Sequence, residues 1–76
     1  MTIKGFIKRE RKNNRILADL LERHLDTLKN WNFYDSQLKA AYEIRGILFG
    51  LKLSRYITAD EFESLMDDWA VITKDI

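Results

Sequence analysis

The sequence predicts an all-α domain: a compact three-helix bundle with a basic N-terminal extension. Three observations carry that expectation. The 76 residues include no proline and three glycines, Gly5, Gly46 and Gly50, so helix breakers are scarce. Apolar residues recur at spacings of three and four over much of the chain, the period of an amphipathic helix. Thr58-Ala59-Asp60-Glu61 has the form of a capping box, with Ile57 and Phe62 at the positions of a hydrophobic staple.

Taken in order, residues 1–12 form the basic extension and residues 13–76 the three-helix domain. Ile3, Phe6 and Ile7 could dock on the body, but Lys8–Arg15 (KRERKNNR) offers no apolar position. The run reads as a mobile arm, or as the exposed start of a helix beginning near residue 10, with Asn13 or Asn14 as a cap. The first well-marked helix contains Ile16, Leu17, Leu20, Leu21, His24, Leu25 and Leu28 on one face. Asp19 and Arg23 form an i,i+4 pair on the other. Asn30–Asp35 (NWNFYD) is a turn in which Trp31, Phe33 and Tyr34 are expected to cap the end of the core, and Asp35 to cap the next helix. Leu38–Leu53 is the most apolar stretch. A helix apolar around most of its circumference is buried from several sides, so it is expected to be central. The last helix follows the capping box from Ala59 to about Ile72, with Phe62, Leu65, Met66, Trp69 and Ile72 facing in and Thr73–Ile76 fraying. The expected core includes Leu17, Leu20, Leu21, Leu25, Leu28, Leu38, Tyr42, Ile44, Leu48, Leu51, Phe62, Leu65, Met66 and Trp69.

Composition narrows the function classes. Apolar residues make up 46% and charged residues 33%, the balance of a folded domain. Cysteine is absent, which removes disulfides and thiolate metal sites. No apolar run approaches the roughly 18–20 residues of a membrane span, and Lys4, Gly5 and Lys8 interrupt the apolar residues that a signal peptide would need. The expectation is a soluble, cytoplasmic protein.

The net charge of +1 is unevenly spread. Residues 1–15 set Lys4, Lys8, Arg9, Arg11, Lys12 and Arg15 against Glu10 alone. Residues 54–76 set Asp60, Glu61, Glu63, Asp67, Asp68 and Asp75 against Arg55 and Lys74. Such asymmetry points to a binding surface or to contact between the ends of two copies.

Chemistry-bearing constellations are scarce. His24 lies among leucines without a nucleophile or orienting partner in view, and reads as an edge-of-core side chain. One histidine and no cysteine exclude the common zinc patterns. The acidic run Asp60–Asp68 lacks the alternation and turn glycine of a calcium loop. No catalytic, metal or cofactor site is expected, and the chain is not expected to be an enzyme. Gly46 and Gly50 cost about 1 kcal/mol each inside a helix relative to alanine, so something should offset them. Either a helix of the same chain approaches closely, with Trp69 or Phe62 in the groove, or a second subunit or other partner does.

Tyr56–Trp69 (YITADEFESLMDDW) resembles the helix starts of short helical-hairpin modules such as the SHOCT class. The resemblance covers fourteen residues, rests on the capping box and staple, and implies a helix start but no activity.

The expected function is that of a small protein-interaction module, a regulator or inhibitor of the kind phages and mobile elements encode. Glu63, Asp67, Asp68 and Tyr56 are its candidate contact residues. The alternative is a nucleic-acid-binding accessory protein using Lys8, Arg9, Arg11, Lys12 and Arg15, whose cations would neutralise phosphates. A third expectation is a homo-oligomer in which the basic end of one copy meets the acidic end of another.

Overall fold

The structure, a computed structural model, describes residues 1–30 and 33–76. They form four helices, not three: α1 (Ile3–Asn13), α2 (Arg15–Asn30), α3 (Tyr34–Leu53) and α4 (Ala59–Ile72). Each packs on its neighbours in the chain, and α1 closes the ring against α4. Among the described residues no helix is long and apolar enough to cross a membrane.

The fourth helix comes from the basic extension. Thr2 caps it, its Oγ1 accepting from the Gly5 amide at 3.0 Å. Ile3, Phe6, Ile7 and Glu10 then occupy one face at helical spacing, and all four are buried. The helix stops at Asn14, whose φ of −151° leaves the helical region. Asn14 also starts α2, its Oδ1 accepting from the Leu17 amide at 3.2 Å. That asparagine is the cap the sequence suggests, but it divides two helices and lets α1 fold back on the body. The basic run is therefore no arm: its cations sit on the outer side of a helix whose inner side is core.

On α2, Leu17, Ala18, Leu21, Leu25 and Leu28 are buried. They face Ala40, Ala41, Ile44 and Leu48 of α3. Asp19 pairs with Arg11 of α1 at 3.3 Å, in place of the expected Arg23. At the corner between α2 and α3 the Gln37 side-chain amide donates to the Leu28 carbonyl at 3.2 Å. A polar latch thus closes that end, and the expected aromatic cap is not seen: Phe33 and Tyr34 are exposed, and Trp31 lies outside the described residues. Phe33, not Asp35, is the N-cap of α3 and makes no side-chain bond. Asp35 lies in the first turn, where it still meets the positive end of the helix dipole.

Helix α3 ends in a Schellman motif. Arg55 takes a positive φ of 61°. The Tyr56 amide reaches back to the Leu51 carbonyl at 2.9 Å, and that of Arg55 to Lys52 at 3.0 Å. The capping box forms as expected: Thr58 Oγ1 accepts from the Glu61 amide at 3.1 Å, and Glu61 Oε1 accepts from the Thr58 amide at 2.9 Å. Ile57 and Phe62, the staple residues, are both buried. The chain end is not frayed to its tip, since Thr73 Oγ1 donates to the Trp69 carbonyl at 2.7 Å and Ile76 packs against the core.

Much of the expected core is correct, but Leu20 and Leu38 are only half-buried and lie outside it, Ile16 is 83% exposed rather than on the inner face of α2, and there are two further departures. Ile3, Phe6 and Ile7 belong to it, because α1 is a docked helix. Tyr42 does not belong: it is 54% exposed. In a ring of four helices α3 is covered by α2 on one flank and α4 on the other, and its outer side stays open.

Phe6 is fully buried on α1. Truncation to alanine is expected to cost about 3–5 kcal/mol, a large part of the stability of so small a domain. Urea unfolding of Phe6→Ala checks this; a loss below about 1 kcal/mol would mean that α1 is not part of the cooperative unit.

Candidate interaction surface

The open side of α3 groups several exposed large apolar side chains with two glycines. Asp35, Lys39, Tyr42, Gly46, Phe49, Gly50 and Leu53 follow one another at spacings of three and four or lie side by side, and all are exposed. Leu53 is 82% exposed. A Cβ built on Gly46 or on Gly50 meets no heavy atom within 4 Å. Among the described residues no helix therefore fills the glycine stripe, and neither Trp69 nor Phe62 lies in it. A shallow depression lined by Tyr42, Arg45, Gly46 and Phe49 opens there instead.

The border of this face toward α4 is built from aromatic rings and cations. Phe49 meets Phe62 edge-on with centroids 4.9 Å apart, and Tyr42 lies 6.2 Å from Trp69. Arg45 stands over both Phe49 and Trp69, at 5.4 and 5.8 Å, and Lys52 over Phe62 at 4.6 Å. Each such cation–ring contact contributes about 0.5–1 kcal/mol at an exposed site. The Trp69 indole is fixed by donating to the Ala41 carbonyl at 2.7 Å. Tyr42 and Phe49 are thus held in place by half-buried Trp69 and buried Phe62 while their own rings stay exposed, and pre-ordered aromatic and arginine groups are the side chains that anchor protein interfaces.

The candidate contact residues Glu63, Asp67, Asp68 and Tyr56 divide into two pairs. Glu63 and Asp67 are exposed on α4, with no basic side chain at ion-pair distance among the described residues. Asp68 and Tyr56 turn toward α1. Asp68 Oδ2 accepts from the Ile3 amide at 2.8 Å, serving an otherwise unpaired donor at that helix start. The Tyr56 hydroxyl donates to Glu10 Oε1. That bond, followed by burial, raises the Tyr56 pKa above the ordinary tyrosine value.

The basic candidates divide as well. Arg9 bridges Glu10 at 3.3 Å and Glu61 at 2.6 Å. Arg11 pairs with Asp19 and Glu22. Lys8, Lys12 and Arg15 are exposed and make no ion pair among the described residues. The fold adds a pair the sequence does not announce: Lys4 of α1 lies against Lys29 at the end of α2 and pushes the Lys29 pKa below the ordinary lysine value.

His24 Nε2 lies 2.9 Å from Glu43 Oε2, in a surface pocket of about 250 Å³ that Arg23, Thr27, Ser36 and Lys39 also line. The pair ties α2 to α3. Among the described residues no group of three or more acidic or histidine side chains converges as a metal site would require.

The exposed aromatics of α3 carried no separate signal in the sequence. Tyr42 and Phe49 share their helix with buried residues, and periodicity alone does not tell an inner apolar stripe from an outer one. The glycine spacing was the available clue. No protein-family model matches the chain, and no curated protein or solved structure matches it either.

Two predictions arise here. Replacing Gly46 and Gly50 by alanine removes two helix-weakening residues without a clash. Each substitution should stabilise the isolated domain by about 1 kcal/mol, and thermal melts of the single and double variants check it; destabilisation would show that the stripe is covered. The second concerns acid. The Thr58 amide, and after it the Arg9 guanidinium, holds the Glu61 carboxyl below the ordinary glutamate value. A carboxyl depressed in the folded state adds stability that is complete above its unfolded value of about 4.3 and is lost as pH falls through the folded value. Glu61→Gln should therefore melt lower than the native chain at about pH 7, and the gap should narrow by about pH 3. A gap of the same size at both pH values would disprove the linkage.

Proposed function

We propose that this chain is a non-enzymatic protein-interaction module that works through the outer face of α3 and its border with α4. One observation carries the proposal: Tyr42, Gly46, Phe49, Gly50 and Leu53 form an exposed stripe whose two glycines no described residue covers. Two helix-weakening glycines and exposed large apolar side chains both run against the stability of an isolated small domain. Contiguous exposed apolar surface of this kind marks interaction sites, and glycines let a partner backbone approach closely. Glu63 and Asp67 stand on the neighbouring helix and extend the surface with negative charge. A regulator or inhibitor of the mobile-element type fits such a scaffold.

The nucleic-acid alternative draws on one specific feature. Lys4, Lys8 and Lys29 line a common groove between α1 and α2, and the first and last of them repel one another. A phosphate would relieve that repulsion. Glu22 and Asp26 share the groove and oppose it, so the α3 face has the stronger case.

A photo-crosslinking residue placed at position 50, and as a control at position 12, separates the two. Protein adducts in the native host from position 50 and none from position 12 are the expected outcome. Nuclease-sensitive adducts from position 12 alone would favour the nucleic-acid alternative, and absence of any adduct at position 50 would sink the proposed function.

A further inference from the structure

We infer that the occupant of the α3 face is a second copy of this chain, seated so that α3 of each protomer lies over the seam between α3 and α4 of the other. The inference rests on the interaction module proposed above and names its partner.

Charge complementarity chooses the occupant. Around its glycines the α3 face carries Lys39, Arg45 and Lys52, all exposed. Of its carboxylates, Glu43 is engaged by His24, and Asp35 lies at the far N-terminal end. Helix α4, next to it, presents the opposite charge: Asp60, Glu63 and Asp67 are exposed, and no cation lies within ion-pair distance of them among the described residues. A cationic helix and an anionic helix thus stand side by side on one protomer. A two-fold axis through the seam sets each against its opposite, because a two-fold interface is isologous and every contact occurs twice. Lys39 and Arg45 then face Glu63 and Asp67 of the partner subunit.

The same reasoning excludes the simpler arrangement in which α3 crosses α3 on the axis. That crossing would bring Arg45 against its own copy and leave the α4 carboxylates unused, and like charges brought together oppose association. The seam also holds the anchoring groups, with the Tyr42–Trp69 and Phe49–Phe62 ring pairs on the line where the axis would pass. Gly46 and Gly50 let the opposing helix sink onto the α3 backbone, which gives their helix cost a return. The opposite-ends dimer that the sequence charge pattern suggests is a different object: Arg9–Glu61 and Ile3–Asp68 join those ends within one chain.

The experiment is molar mass in solution by sedimentation equilibrium across about a hundredfold range of concentration, on the full chain and three variants. Gly50→Gln blocks the groove at a position where a Cβ meets no described atom within 4 Å. Lys39→Glu with Arg45→Glu reverses the α3 charge, and a fourfold variant adds Glu63→Lys and Asp67→Lys. Circular dichroism establishes that each is folded. The native chain should shift from monomer to dimer. Gly50→Gln and the α3 reversal should each weaken the dimer at least about tenfold, and the fourfold variant should recover most of that loss. Rescue by the second charge reversal is what an α3-on-α4 contact requires and a general surface effect does not give. A native chain that stays monomeric overturns the inference. If position 50 then still crosslinks to another protein, the interaction module stands with a different occupant; if it crosslinks to nothing, both fall. A dimer indifferent to Gly50→Gln, or unrescued in the fourfold variant, also overturns it.

Discussion

The structure depends on the burial of Glu10. Its carboxylate is 1% exposed, and a buried carboxylate is tolerated only when its oxygens are paired. One oxygen accepts from the Tyr56 hydroxyl and the other from Arg9. Arg9 passes its remaining charge to Glu61, and Glu61 already holds the start of α4 through the capping box. A single polar line, Tyr56–Glu10–Arg9–Glu61–Thr58, therefore joins α1, the turn after α3 and the first turn of α4. Removing one member leaves a charge stranded, so the line behaves as a unit. It also requires the unusual Arg55 backbone, since the Schellman turn is what delivers Tyr56 to Glu10.

Seen from that line, the charge asymmetry of the chain has an internal cause. The basic first fifteen residues and the acidic last quarter are complementary surfaces of α1 and α4. The contact is made by Arg9 with Glu61 and by the Ile3 amide with Asp68. Arg11 meets the acidic side of α2 in the same way. Opposite charge at the two ends of a short chain is ambiguous between contact within one molecule and contact between two. Here the apolar face of α1 decides it, because burying Ile3, Phe6 and Ile7 places the charges where they meet.

Much of this was legible in the sequence, and the gaps have physical reasons. The helix spanned by α2, the apolar α3 and the capping box of α4 were all plain from spacing and cap chemistry. Helix α1 was not, because its fourth inward position is Glu10, and a charged residue there breaks the apolar pattern that periodicity relies on. Its pairing partner Tyr56 stands 46 residues away, beyond the reach of any local rule. Spacing alone puts Tyr42 inside, because it cannot tell how many helices cover an apolar one. The candidate surface was half legible: the glycine pair was visible and its cost could be stated, but whether it faced inward or outward needed the ring of four.

Once α1 is counted as a helix, the arithmetic of coverage changes. In a three-helix bundle the middle helix is expected to be hidden by the other two, whereas a closed ring of four lets every member keep an outward side. On α1 that side is polar, and on α2 and α4 single apolar side chains, Ile16 and Val71, stand exposed among polar ones, as is ordinary on a solvated helix. For α3 it is Tyr42, Phe49, Leu53 and two glycines, with Lys39, Arg45 and Lys52 around them. Solvation gains nothing from tyrosine, phenylalanine and leucine in that position, and internal packing gains nothing from Gly46 and Gly50. The polar line through Glu10 holds the ring closed without using this face. The two can therefore change independently: a substitution on the outer side of α3 can alter what the domain binds while the pairing that holds its fold together is left intact.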